Sequence, residues 1–346
     1  MTNRAPRVLW IMAAGLVLVA ILVSSNLLIQ LGPLRTSLTS DNPSTRATAE
    51  MTVLAARFFS GLLGLGLVGI CLAWSRVAES SLFIRVMEHR VPEAEKARQS
   101  RVLNPTGIVA VGLGIVSLFY LFVIGNRLPA DVRGLIGRED GILEQGTALL
   151  FLGAAGLGFA AVRYQRMALD QPATGQRRSR VWRMRWFALL GVFFFFACGE
   201  EISWGQRLFD FGTPAAIERL NVQQETNLHN MLGYLADHLF IAGVFVFGAV
   251  LPLLAARYGI WRRALHRAGV PLASQGLALG FLLASALHEW TVGALLAPAP
   301  LRIAEIREFV VGACFLLLMI EQLQGARQRA AEPDVLDASH GVVPAE

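Results

Sequence analysis

Apolar residues come in long runs broken by short polar stretches, without the two-residue alternation of a half-buried strand. Eight runs reach the roughly 20 residues a helix needs to cross the hydrocarbon core of a bilayer. They lie near 8–31, 52–74, 107–125, 142–162, 186–204, 238–256, 274–296 and 305–323. The pattern predicts an all-α fold, a polytopic transmembrane helical bundle of about eight spans in a single domain over 1–324. The first run is too long for the core of a signal peptide and is expected to remain as an anchor. Residues 205–236 read as an outer amphipathic loop, 75–106 as an inner surface helix of mixed charge, and 325–346 as a disordered cytoplasmic tail. Glycines 61, 64 and 69 in the second run, and 153, 156 and 158 in the fourth, predict close helix contacts.

Composition strengthens this picture. The chain is 54% hydrophobic and 16% charged, with mean hydropathy +0.51, more apolar surface than a soluble domain can hide. Cys71, Cys198 and Cys314 all fall in apolar runs and form neither a disulfide framework nor a C-x-x-C pair. With the N-terminus inside, 21 of the 31 basic residues fall on inner segments and nine on outer ones. The positive-inside rule then predicts both termini in the cytoplasm of a bacterial inner-membrane, multi-pass protein. The net charge of +6 is expected to face anionic lipid of the bilayer rather than nucleic acid.

Orientation drawn from Arg and Lys places the unusual acids and histidines on one side. Glu139, Asp140 and Glu144 open the fourth span, and Glu200 and Glu201 close the fifth. His238, with Asp237, opens the sixth, His288 and Glu289 lie near the end of the seventh, and Glu305 and Glu308 open the eighth. Acidic side chains within a membrane cost roughly 2.5 to 3.5 kcal/mol near its centre, so a pair marks a site. If the helix continues, Glu200, Ser203, Trp204 and Arg207 share one face at i, i+3, i+4 and i+7. By contrast, the inner halves of the spans read as almost purely apolar.

The segments Arg138-Glu-Asp-Gly-x-x-Glu144, Gly199-Glu-Glu-Ile-Ser-Trp-Gly-Gln-Arg207 and Asn221-x-Gln-x-Glu-Thr-Asn-Leu-His-Asn230 resemble a group of uncharacterised bacterial multi-span membrane proteins. The resemblance covers roughly 135–240 and implies membership without an activity. A looser one, in inventory alone, is to the ceramidase-like and progestin-receptor-like seven-helix hydrolases, which set intramembrane carboxylates beside three histidines on zinc. This chain has a different span count and no His-x-x-x-His pair.

These features lead to an integral membrane hydrolase or transferase acting on a lipid or lipid-linked substrate at the extracytoplasmic face. Glu200, Glu201 and Glu144 are the expected acid/base residues. Arg207, Trp204, Asp140, Gln224, Asn227 and Glu289 are the expected substrate contacts. His229, His238 and His288 are a candidate metal set of the kind that holds catalytic zinc. A proton-coupled transporter and a structural scaffold built on internal ion pairs are the alternatives.

Overall fold

The computed structural model describes residues 7–25, 27, 38–39, 43–89, 91–124, 127–129, 132, 141–169, 177–209, 212–213, 234–288 and 303–331. Among them every regular element is a helix. Among the described residues, five helical stretches are long and apolar enough to cross a membrane: Ala49–Leu72, Pro105–Ile124, Ile142–Leu169, Arg177–Glu201 and Asp237–Arg257. The first and seventh expected spans fall on the shorter apolar stretches Leu9–Leu22 and Gln275–Ala286.

The chain divides into two compact units. The first comprises Met1–His89, Leu232–Phe240 and Glu289–Ala297. Its helices α1 (Arg7–Leu22) and α2 (Pro43–Leu72) run antiparallel. A Cβ on Gly64 would lie 2.8 Å from a Val17 methyl, and one on Gly61 would touch Ala20 at 3.4 Å. Gly69 has no such neighbour within 4 Å among the described residues. Arg57, exposed on an otherwise apolar helix, turns its Nε to the Ala20 carbonyl at 3.0 Å. Two short helices follow, α3 (Trp74–Glu79) and α4 (Ser81–Met87). The Ser80 hydroxyl caps the second by accepting from the Phe83 N–H.

The second unit comprises Arg90–Met231, Ile241–His288 and Pro298–Glu346. It begins with the short α5 (Glu93–Gln99) and then α6 (Pro105–Phe119), which ends in a π-turn over Tyr120–Ile124. The stretch 75–106, expected as one surface helix, thus holds several short helices, and α5 buries Glu95 and Gln99. Then come α7 (Ile142–Leu169), α8 (Arg177–Glu201) and the single turn α9 (Gln206–Phe209). Next in the chain is α10 (Tyr234–Val244), joined through a π-turn to α11 (Leu251–Arg257). Pro252 at the start of α11 lacks the N–H that a regular helix needs there, which accounts for the irregular turn before it. The chain ends with α12 (Gly259–Arg267), α13 (Gln275–Ala286) and α14 (Ile303–Ala331). The last helix runs past residue 325, where a disordered tail was expected, because its final turns are tied into the bundle.

Small residues set how these helices meet. Gly158 of α7 faces the Gly191 Cα of antiparallel α8 at the 3.1 Å a Cβ would have. Gly146 and Gly153 of α7 face Phe309 and Leu316 of α14, a constant offset that makes the two helices parallel. Gly107 and Gly114 of α6 face Gly276 and Leu283 of α13, again in parallel. Where α7, α8, α13 and α14 meet, Phe151, Phe194, Phe281 and Phe315 form one buried cluster, with Phe194 and Phe281 ring centroids 4.9 and 5.1 Å from Phe315.

Candidate functional site

Helix α8 ends at Glu201 and the chain reverses hand. Ser203, Trp204 and Gly205 take φ of +45°, +55° and +77°. Two of the three carry side chains, which disfavour this conformation by about 1 to 2 kcal/mol each. The helix therefore does not continue to Arg207, and the single face drawn through Glu200, Ser203, Trp204 and Arg207 is corrected. The left-handed turn brings Trp204 to Glu200 by another route. It folds the Trp204 indole back over Gly199, where any Cβ would lie 2.8 Å from the ring. From there the Trp204 Nε1–H donates to the Glu200 carboxylate at 2.8 Å. Gly199 and Gly205 in the Gly-Glu-Glu-Ile-Ser-Trp-Gly sequence thus have separate tasks, one leaving room for the ring and the other allowing the turn.

The neighbouring Glu201 is half-buried. It lies in electrostatic reach of Glu308 and Glu305 on α14, Glu144 at the start of α7, and Glu200. Three helices thus bring five carboxylates together, and the sequence anticipated their gathering at one end. Such a group persists only when bound protons or nearby positive charge offset the mutual repulsion of its carboxylates. Arg307, almost fully buried beside it, approaches Glu308 at 3.5 Å.

The remaining expected residues are placed as follows. His288 is buried in the second unit just beyond α13. Asp237 and His238 belong to the first, with His238 Nδ1 3.8 Å from an Asp237 oxygen. Arg207 lies in α9, and its side chain is outside the described set. Asp140, Gln224, Asn227, His229 and Glu289 lie outside the described residues.

At the other end of the same helices lies a second polar site that sequence reasoning missed. The halves of these helices that were expected to be almost purely apolar are not. Glu321 of α14, only 4% exposed, accepts from the Asn104 side-chain amide at 2.8 Å, the Ser274 hydroxyl at 2.7 Å, the Ser274 N–H at 3.0 Å and the Thr106 hydroxyl. Asn104 and Ser274 are also the N-caps of α6 and α13. One buried carboxylate therefore holds two helix N-termini, where negative charge is favoured. Arg98 bridges Glu321, at 3.4 Å, to Glu95, at 2.7 Å. Arg183 and Arg329 reach Glu95 at 3.4 and 3.3 Å. Gly269 (φ +70°) closes α12 hard against the backbone of Trp182 and Arg183, which fixes that arginine's height on α8. Burial pushes the Glu95 carboxyl up, but Arg98, Arg183, Arg329 and His266 outweigh it and hold it well below the usual carboxylate range. Burial, with Arg183, Arg98 and Arg180 nearby, pulls Arg329 down to about 9 despite Glu95. The signal in the sequence was the pair Glu321-Gln322 near the end of the last apolar run, hidden because the run around it is so hydrophobic.

No protein-family model, curated protein or solved structure matches this chain.

Proposed function

We propose that the protein is a membrane-embedded hydrolase or transferase of the bacterial inner membrane, acting on a lipid or lipid-linked substrate at the extracytoplasmic face. The observation that carries this reading is the meeting of Glu144, Glu200, Glu201, Glu305 and Glu308 from three helices beside a strained turn. One carboxylate takes a proton from an attacking water or hydroxyl, and a second returns a proton to the leaving group. Trp204 holds Glu200 in place. Arg207 and the polar residues Asp140, Gln224, Asn227 and Glu289 are proposed to contact the substrate's polar part, and zinc on His229, His238 and His288 is proposed from the sequence alone.

The proposed topology has eight spans with both termini inside. Helix directions support it: α6 parallel to α13, α7 parallel to α14, and α7 antiparallel to α8 are the relations that alternating spans require.

The experiment is lipid mass spectrometry of proteoliposomes made from a bacterial polar lipid extract. Wild-type protein should deplete one lipid class or create a new species, and Glu201→Gln should not. Identical lipid profiles from both, with both proteins folded, would overturn the reading. A proton-coupled carrier is the second reading, favoured by polar groups at both ends of α14. The phenylalanine cluster among the described residues between those ends weighs against it. Proton uptake by the same vesicles would reverse that judgement.

A further inference from the structure

We propose that one face of α8 binds an anionic phospholipid, with Arg178, Trp182 and Arg185 at its headgroup and Leu189, Phe193 and Phe196 along an acyl chain. The proposal rests on the membrane reading and not on the activity. Arg185 and Glu201 are sixteen residues apart on one helix, about 24 Å along its axis, so the headgroup end is remote from the carboxylate cluster.

Sequence spacing puts these six side chains on one stripe. The steps from Arg178 to Trp182, Arg185, Leu189, Phe193 and Phe196 are four, three, four, four and three residues, which keeps to one side of a helix. Phe187 and Phe194, on the other side, are fully buried in the bundle. The stripe faces outward: Trp182 is 41% exposed, Leu189 59%, Phe193 43% and Phe196 49%. Arg178 and Arg185 are exposed as well. The polar end of the stripe is ordered by its own contacts. The Arg185 guanidinium carbon lies over the Trp182 ring, 4.8 Å from its centroid. Arg185 thus reaches back one turn, toward Arg178 and away from the apolar part of the stripe. Stacking on the ring face holds the guanidinium while leaving its N–H donors in the plane free for a ligand. Neither Arg178 nor Arg185 pairs with a carboxylate among the described residues. Two positive charges therefore head a row of bare apolar side chains, and that combination fits an amphipathic anion. From Arg185 to Phe196 is eleven residues, about 16 Å, close to the roughly 15 Å depth of hydrocarbon in one leaflet. A free phosphate ion would meet the guanidinium groups and leave the apolar row uncovered. A phospholipid of net negative charge covers both parts.

The test mixes purified full-length protein with equal amounts of phosphatidylglycerol and phosphatidylcholine in uncharged detergent and weighs it by native mass spectrometry. Wild-type protein should retain phosphatidylglycerol over phosphatidylcholine by roughly tenfold or more. Arg178→Gln and Arg185→Gln should each cut that preference roughly fivefold, the worth of one basic residue beside an anionic headgroup. Trp182→Leu keeps an apolar side chain but removes the ring under Arg185, and should lower the preference too. Arg177→Gln is the control. It removes the same charge from an exposed neighbour, turned about 100° round the helix, and should leave the preference as in wild type. The wild-type comparison needs no variant, so misfolding of one does not rescue the idea. Equal retention of the two lipids by wild-type protein would overturn the proposal, as would a loss in Arg177→Gln equal to that in Arg185→Gln. A mass of two chains without lipid would also overturn it, by giving this face to a second copy.

Discussion

At the scale of single residues, a short polar sequence does more by its backbone than by its side-chain spacing. Trp204→Phe keeps the ring over Gly199 and removes the N–H that holds Glu200. Lipid turnover should fall roughly tenfold, the worth of one hydrogen bond to a charged group, with thermal unfolding nearly unchanged. Glu95 makes a second prediction. Its folded-state value is depressed below the ordinary 4.5 by Arg98 on α5, Arg183 on α8, Arg329 on α14 and His266 on α12. The stability it contributes is therefore full above about pH 4.5 and is lost as the pH falls toward the depressed value. Glu95→Gln should flatten that acid limb in pH-dependent unfolding. Glu200 and Glu201 were legible because two acids at the end of an apolar run demand explanation. The left-handed turn was not, since Ser203 and Trp204 are residues whose intrinsic preference opposes it.

At the scale of elements, small residues and one clasp decide which helices touch. Gly64, Gly153 and Gly158 make close contacts as their sequence pattern suggested, whereas Gly69 and Gly156 do not. A glycine pattern says that a close approach is permitted, and only the partner helix decides which glycines are used. Gly158→Leu should push α8 away at Gly191 and destabilise the protein by about 1 to 3 kcal/mol, read as a lowered unfolding temperature. Glu321→Ala should be worse, about 3 to 5 kcal/mol, because it leaves Arg98 without one partner and two helix caps without their anion. The Glu321 clasp was hidden in the sequence because its partners, Asn104 and Ser274, lie more than 40 residues away on other segments.

At the scale of the whole molecule, the helical membrane class was readable from apolar runs alone, because length and hydropathy are local properties. The meeting of acids from different helices was readable only through the proposed orientation, which is a property of the loops. That orientation makes its own prediction. A cysteine replacing exposed Glu93, with the three native cysteines removed, should react with an impermeant thiol reagent only from the cytoplasmic side.

The claim on which the rest stands is that the ends of α7, α8 and α14 bring their carboxylates to one place. Thiol cross-linking tests it most directly. In the same cysteine-free background, the pair Glu201→Cys and Glu308→Cys should be joined by a short bifunctional thiol reagent. The pair Glu201→Cys and Glu93→Cys, at opposite ends of the second unit's helices, should stay unlinked. A folded protein in which the first pair fails to join would contradict the account.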